Sequence, residues 1–261
     1  MPIREQAELC GFVFFNASRP GFCTPTLIRR LSPYRDLIAQ LVLREVDTLR
    51  AMQTMVRVIM QISAVRDGET GAHLARMARY TRLIARCLAP AHGLSDEFVQ
   101  NLFQFAPIHD VGKIGVPDHV LLKPAPLTAE EFAVMKTHVE RGVEIFDVAV
   151  AGVRFASPRQ VELMRTIIAS HHERLDGSGY PLGLAGDGIP LAARIVAVAD
   201  VFDALTSRRP YKPAWRNEDA IAQMRREAAA GKLDSACVEA LAGAGDEIRA
   251  IQAQFVETVN G

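Results

Sequence analysis

At 261 residues the chain is long enough for one large domain or two small ones, and its core needs no metal to hold it together. Lysine and arginine total 30, as do aspartate and glutamate, so no overall basic excess indicates binding to a nucleic-acid backbone. A small substrate is therefore favoured over polymeric nucleic acid.

The cysteines and the N-terminus bear on the cellular compartment. Four cysteines are scattered without a CxxC pair: Cys10, Cys23, Cys87 and Cys237. Such spacing is typical of a reduced, cytoplasmic protein. Glu5 and Glu8 interrupt the N-terminus, which therefore lacks the pattern of a secretory signal, and no apolar run reaches the ~20 residues of a membrane span. We expect a cytoplasmic protein without membrane insertion.

The N-terminal fifth of the chain is predicted to be irregular and then helical. Residues 1–31, with Pro20, Gly21 and Pro25, are predicted to be an irregular segment, in which Phe12 to Phe15 could form a short strand or a docking patch. From Ser32, a candidate N-cap followed by Pro33, a helix is predicted to about Val65. Its apolar stripe comprises Ile38, Val42, Val46, Leu49, Met52, Val56 and Ile59. Packing on its own domain is favoured for this stripe over a dimerising signalling helix.

Beyond Arg66 the pattern is helical nearly throughout, without sustained alternation or a βαβ rhythm, which predicts an all-α bundle. Helix starts are predicted at Thr128 with Glu131, at Ser157 with Pro158, and at Asn217. The main irregular piece is the Gly- and Pro-rich segment 173–190, directly after a double histidine. A long loop inside a compact domain is often functional.

Candidate metal ligands are spread along this helical region. Five of the seven histidines fall in motifs with nearby carboxylates. The candidates are Glu69 and His73 at i and i+4, the pair His109 and Asp110, His138 in an amphipathic helix, the pair His171 and His172, and Asp200 with Asp203. We expect His109-Asp110 and His171-His172 to close helices. One such residue alone is more often a surface or core group, but five motifs together favour a metal centre.

The donor types predict the metal and its chemistry. Mixed nitrogen and oxygen ligands without cysteine favour octahedral Fe or Mn, with Mg or Zn as alternatives. Asp110 is the best candidate to bridge two ions about 3.5–4 Å apart, the spacing of two-metal hydrolytic sites. A bridging water in such a site supplies hydroxide near neutral pH, which predicts attack on phosphorus without a serine or cysteine nucleophile.

Cations and an aromatic residue accompany these motifs. Phosphate chemistry needs positive charge, and four cations lie next to proposed ligands: Lys113, Arg208, Arg209 and Lys212. A solvated surface charge is the alternative for each, and it is rejected most firmly for Lys113. Tyr180 in the Gly-rich loop could contact a substrate base or, nearly as well, anchor the loop itself.

The ordered motifs resemble the HD-GYP family, a branch of the HD superfamily of metal-dependent phosphohydrolases. The resemblance covers about residues 52–245 and divides the chain into residues 1–51 and an HD-GYP domain at 52–261. The matching motifs are RDGETGAHLAR, HDVGKIGVP, LLKPAPLTAEEF, MKTHVERG, HHERLDGSGYP and GLAGDGIPLAARIVAVADVFDALTSRRPYK. It implies an HD-type helical bundle, here preceded by a long connecting helix, and hydrolysis of cyclic di-GMP to pGpG and, in some members, GMP.

The resemblance also implies roles for individual residues. Its metal ligands correspond to His73, His109, Asp110, His138, His171, His172 and Asp200, and Glu69 matches a carboxylate of members with a third metal. Two or three divalent ions are therefore expected, with Ni as a further candidate, and the trinuclear case is favoured. Positions implicated in holding or neutralising the substrate correspond to Lys113, Tyr180, Asp203, Arg209 and Lys212. Asp110 and Lys113 would take part in catalysis.

The chain departs from the family pattern at Ala125-Pro126, Val139 and 233–235, which puts loop shape and C-terminal packing in doubt rather than the ligand set. Other functions stay open: hydrolysis of a different cyclic dinucleotide or linear pGpG, a non-catalytic module that binds the nucleotide, and, more remotely, an iron oxygenase. Candidate protein partners are a second copy through the N-terminal helix and a diguanylate cyclase or sensory protein.

Overall fold

The computed structural model describes residues 1–5, 8–67, 71–151, 157–207 and 213–256. Two compact units are present, Met1–Thr54 and Met55–Gly261. The first unit begins with an antiparallel hairpin of strands β1 (Pro2–Glu5) and β2 (Glu8–Phe12), in which Pro2 pairs with Phe12 and Glu5 with Glu8. The expectation of an irregular segment over residues 1–31 is therefore wrong.

The long helix α1 (Pro25–Asp67) begins earlier than predicted. The Thr24 hydroxyl accepts a hydrogen bond from the backbone N–H of Leu27 at 3.3 Å, and Pro25 suits the first turn, where its missing N–H is not needed. Ser32 is not the N-cap, because its hydroxyl donates to the carbonyl of Ile28 at 3.2 Å inside the helix. Pro33 consequently lies within the helix rather than at its start.

The second unit is built from short helices, in agreement with the all-α prediction. In chain order they are α2 (Gly71–His92), α3 (Asp96–Phe105), α4 (Asp118–Leu121), α5 (Ala129–Lys136), α6 (His138–Val150), α7 (Pro158–Ser170), α8 (Leu191–Thr206), α9 (Asn217–Ala229), α10 (Ser235–Ala242) and α11 (Gly245–Gln254). Three 3-10 helices lie between them, at Ala106–Ile108, Val111–Gly115 and Gly186–Gly188.

The three helix starts predicted beyond Arg66 are confirmed. Thr128 and Glu131 form a reciprocal capping box, with 3.2 Å from Glu131 N to the Thr128 hydroxyl and 2.8 Å from Thr128 N to the Glu131 carboxylate. Helices also begin at Pro158 and Asn217. Within the described ranges, none of the helices has the length and apolar character needed to cross a membrane.

The core of the second unit is centred on the packing of α2 against α8. Fully buried side chains meet there, including Tyr80 and Phe202, whose rings pack edge to face with centroids 5.1 Å apart. Aromatic pairs of this kind bury much apolar surface and hold their helices in one register. As a result His73 on α2 lies beside Asp203 on α8.

Candidate metal centre

Asp110 lies between two 3-10 helices, and a glycine contact brings it close to α6. A Cβ atom on Gly112 would stand 1.8 Å from the carbonyl oxygen of His138 and 2.4 Å from the backbone nitrogen of Gly142. Only glycine therefore allows Val111–Gly115 to press against α6 at this distance. This contact places the Asp110 carboxylate next to the His138 ring.

Seven predicted ligands form two adjoining groups. The Asp110 cluster consists of Asp110, His138, His171 and His172, and the Asp200 cluster consists of His73, His109 and Asp200. Within each cluster the candidate ligand atoms lie within 4.8 Å of one another. The clusters adjoin because His109 Nε2 lies 3.1 Å from Asp110 Oδ2 and 4.0 Å from Asp200 Oδ1.

Three histidine rings are oriented by backbone carbonyls at the ends of helices. Nδ1 of each ring lies within hydrogen-bonding distance of a carbonyl three or four residues earlier: Ala106 for His109 at 3.1 Å, Met135 for His138 at 2.8 Å, and Ile167 and Ile168 for His171 at 3.1 Å. A carbonyl can only accept, so Nδ1 carries the proton and Nε2 presents a lone pair. The last turn of a helix leaves carbonyls available for this purpose.

The Asp110 cluster has donor atoms suited to a cation. Among the residues that the structure describes, the buried Nε2 atoms of His138 and His171 have no hydrogen-bond partner, and they lie 3.1 and 3.5 Å from Asp110 Oδ1. Because the protons are on Nδ1, each Nε2 turns a lone pair toward a carboxylate oxygen. A divalent ion between these atoms would convert that repulsion into coordination, so the residues fit a metal.

Charge and burial keep these groups in their metal-binding protonation states. Burial alone would raise the pKa of Asp110, but the positive charge of Lys113 outweighs it and holds that pKa well below its ordinary value. Burial lowers the pKa of His171, and burial together with the neighbouring His171 lowers the pKa of His172. The carboxylate is therefore ionised and both imidazoles are neutral at pH 7, as ligation requires.

One of the two histidines of the Asp200 cluster, His73, is oriented by side chains. His73 Nδ1 donates to Asp203 Oδ2 at 2.7 Å, and Arg76 donates to both oxygens of the same carboxylate, at 2.7 and 2.9 Å. Burial would raise the pKa of Asp203, but the hydrogen bonds from His73 and Arg76 outweigh it and lower that pKa below its ordinary value. Asp203 is fully buried behind the His73 ring.

A cation and an aromatic ring border the Asp110 cluster. Lys113 Nζ lies 2.8 Å from Asp110 Oδ2. The ring of Tyr180 stacks on His172, with centroids 4.6 Å apart and planes 27° apart. Burial raises the pKa of the Tyr180 phenol, so its hydroxyl keeps its proton and can donate at neutral pH.

The loop that carries Tyr180 is held by a buried carboxylate that sequence analysis did not single out. Glu173 accepts hydrogen bonds from the backbone N–H groups of Leu182 at 2.8 Å and Leu184 at 2.9 Å. Gly179 completes the turn, since a Cβ there would stand 2.4 Å from the backbone nitrogen of Arg174. An acid directly after a double histidine was the available signal for Glu173.

The remaining predicted residues are distributed as follows. Asp203 faces His73 and Arg76, whereas the resemblance implied contact with the substrate. Glu69, Arg208, Arg209 and Lys212 lie outside the described residues. Arg76 was also missed by sequence analysis, although it follows His73 by three residues on the same helix.

Comparisons with known proteins agree with this geometry. The HD domain family model matches residues 58–237. A cyclic di-GMP phosphodiesterase response regulator of Xanthomonas campestris is 44% identical over 87% of this chain and 56% of its own length. A 3'3'-cGAMP-specific phosphodiesterase of Vibrio cholerae is 39% identical over 80% of this chain and 38% of its own length.

One solved structure extends the comparison to the fold. A cyclic GMP-AMP specific phosphodiesterase of V. cholerae superposes with a TM-score of 0.53 at 19% identity, covering 78% of this chain and 51% of that one. The chain spans about half the length of the curated relatives it matches. Their names therefore describe proteins that are about twice as long.

Proposed function

Because this chain belongs to the HD domain family, as the HD-GYP resemblance predicted, we propose that it is a metal-dependent phosphodiesterase that hydrolyses cyclic di-GMP to pGpG, with GMP as a second product. One observation carries the proposal: seven ligand-type side chains from distant parts of the sequence form two adjoining clusters beside Lys113 and Tyr180. Two adjacent cation sites next to a positive charge suit cleavage of a phosphodiester.

We propose two ions held by the Asp110 and Asp200 clusters, with Asp110 between them and Glu69 as the candidate ligand of a third. Fe or Mn is favoured because the donors are imidazole and carboxylate, with Mg, Ni or Zn as alternatives. When bound, such ions polarise phosphate oxygens and acidify water for attack on phosphorus.

The chain's own residues would bind the substrate and offset its charge. Lys113 places an ammonium group beside Asp110, where negative charge grows on the phosphate during cleavage. Tyr180 offers a protonated hydroxyl and a ring beside His172 for contact with a phosphate or base. Arg209 and Lys212 stay predicted substrate contacts. For Asp203 we favour orientation of His73 over substrate contact, because its carboxylate is buried.

The choice of substrate is tested with metal-loaded protein. Protein purified without metal would be loaded anaerobically with Fe(II) or Mn(II) and given cyclic di-GMP, 3'3'-cGAMP or pGpG in parallel, with products separated by chromatography and bound metal measured. We expect cyclic di-GMP to be cleaved fastest. Faster cleavage of 3'3'-cGAMP would favour the relative from V. cholerae as the better guide to substrate. Binding without cleavage at full metal occupancy would favour a non-catalytic module.

We propose a second copy of the chain as the partner of α1, although the sequence pattern had favoured packing of this helix on its own domain. Exposed apolar side chains recur at steps of three or four along it: Tyr34, Leu37, Ile38, Leu41 and Val42. Such a stripe is typical of helices that pair. Analytical sedimentation of the wild type and of a Leu37→Glu, Leu41→Glu double variant tests this pairing. We expect the wild type to be a dimer and the variant a monomer. A diguanylate cyclase or sensory partner and a cytoplasmic location stay predictions.

A further inference from the structure

The ring of His73 is held differently from those of the other histidines with described Nδ1 contacts. His73 lies in the first turn of α2, where a helix offers unpaired N–H groups rather than carbonyls. Its Nδ1 proton is accepted by Asp203 from another helix, α8. The orientation of His73 therefore depends on whatever fixes the Asp203 carboxylate.

Arg76, one turn after His73 on α2, binds both oxygens of that carboxylate. Its guanidinium donates from Nε to Oδ1 at 2.7 Å and from Nη2 to Oδ2 at 2.9 Å, which is a fork that matches the plane of a carboxylate. Nη2 also lies 2.7 Å from the hydroxyl of Ser207, which contacts Asp203 Oδ2 at 3.0 Å. Both charged partners are buried, so each neutralises the other where water cannot.

The C-terminal end of the described chain anchors Arg76 in turn. Arg76 Nη1 donates to the carbonyl of Phe255, just after α11, at 2.8 Å. The Phe255 ring lies under the guanidinium of Arg79, 4.0 Å from ring centroid to carbon. Arg79, one turn further along α2, thus supports Phe255, and the carbonyl of Phe255 in turn binds Arg76.

We propose that Arg76 is a positioning residue of the metal centre. It locks Asp203, Asp203 fixes the ring and tautomer of His73, and the Phe255 carbonyl keeps the guanidinium in register. The inference rests on the proposed function insofar as His73 is taken as a metal ligand. Partners beyond the ligands typically change metal affinity or activity by about 10–100-fold when substituted.

The test uses Arg76→Lys and Arg76→Gln, with Arg82→Gln as the matched control. Lysine keeps the charge but cannot form the fork, and glutamine loses both. Arg82 is an exposed arginine of the same helix whose guanidinium carbon lies 4.4 Å from the ring centroid of Phe103, so its replacement leaves the contacts of Arg76, Asp203 and Phe255 in place. Mn(II) binding would be measured by calorimetry, and the His73 tautomer in metal-free protein by nitrogen-15 NMR. Thermal melting of the metal-free proteins would confirm that each variant is folded.

We expect the affinity of the weakest Mn(II) site to fall about tenfold in Arg76→Lys and up to about 100-fold in Arg76→Gln, with little change in Arg82→Gln. The His73 signal should change from a single Nδ1–H tautomer to a mixture in Arg76→Gln. Unchanged affinity and tautomer in both Arg76 variants, or an equal loss in Arg82→Gln, would overturn the positioning role.

These readouts separate the inference from the proposed activity. Weakened Mn(II) binding in the Arg76 variants, together with a wild type that cleaves no cyclic dinucleotide, would support the positioning role and refute the activity. Cleavage by the wild type, together with Arg76 variants that bind Mn(II) as the wild type does, would support the activity and refute the positioning role. A wild type that binds no divalent ion would refute both.

Discussion

The Asp110 cluster and the Asp200 cluster are built from the same kinds of side chain, but His73 of the Asp200 cluster is oriented by different means from His138 and His171 of the Asp110 cluster. In the Asp110 cluster, His138 and His171 are turned by backbone carbonyls at the ends of helices. In the Asp200 cluster, His73 is turned by the buried carboxylate of Asp203, which Arg76 holds. One orientation is local in sequence, and the other spans 130 residues.

This difference bears on how each cluster responds to substitution. A backbone carbonyl remains whatever side chain its residue carries, so no single replacement at Met135 or Ile168 removes the acceptor for His138 or His171. The acceptor for His73 can be removed by one change at Asp203. We therefore expect replacement of neighbouring side chains to change the orientation of His138 and His171 little. Replacement of Asp203 should change the orientation of His73.

Removal of Asp110 should have the largest effect, because its oxygens adjoin both clusters. We expect Asp110→Ala to abolish turnover of cyclic di-GMP and to lower metal content, since the remaining histidines lack the charge that holds divalent ions together. Asp110→Asn keeps the shape and tests the charge alone. Product chromatography and elemental analysis measure both quantities. Turnover by Asp110→Ala near the wild-type rate would refute the bridging role.

Lys113 borders the Asp110 cluster, and its replacement should sharpen the comparison. We expect Lys113→Gln to lower kcat by roughly 100-fold, the size of effect seen when one group that stabilises transition-state charge is lost. Lys123→Gln is the matched control, because Lys123 pairs with Glu131 at 2.5 Å. Steady-state kinetics with cyclic di-GMP measure kcat for both variants. Equal losses in the two variants would argue against a special role for Lys113.

Glu173 supports the Tyr180 loop, so its substitution should affect substrate binding more than metal content. Glu173→Gln replaces a charged acceptor of two N–H groups by a neutral one, and we expect KM to rise about tenfold with kcat within about threefold. Asp187→Asn, at an exposed acid nearby, is the control. A fall in kcat with KM unchanged would show that the loop acts on the chemical step instead.

The pH dependence of stability should be the smallest effect and tests the neutral imidazoles. The pKa values of His171 and His172 are lowered in the folded state from an ordinary value of 6.5. Below that pH the unfolded chain takes up protons that the folded chain does not, so metal-free protein should lose stability, by up to about 1.4 kcal/mol per pH unit for each histidine. Above pH 6.5 these groups contribute no slope.

Denaturant unfolding of metal-free protein between pH 5 and 8 measures this dependence. His172→Gln should reduce the slope below pH 6.5, and the exposed control His92→Gln should leave it unchanged. The same slope in His172→Gln and in the wild type would indicate that His172 is protonated in the folded state.

Much of the fold was predictable from local patterns. Helical periodicity and caps such as Thr128 with Glu131 predicted an all-α domain, because these signals act within one or two turns. The N-terminal hairpin was missed, since β1 and β2 pair through the backbone and carry weak alternation. The start of α1 was misplaced because Ser32 looked like a cap while Thr24 serves as one.

The sequence by itself determined which side chains could bind metal, because imidazoles and carboxylates are recognisable wherever they occur. Tertiary structure alone decided how they are grouped, with His109 and Asp110 where the two clusters adjoin, and which residues support them. Arg76, Asp203 and Phe255 meet only when α2, α8 and the end of α11 pack together. The physical reason is that the orientation of a ligand depends on long-range packing, whereas the identity of a ligand is a property of one residue.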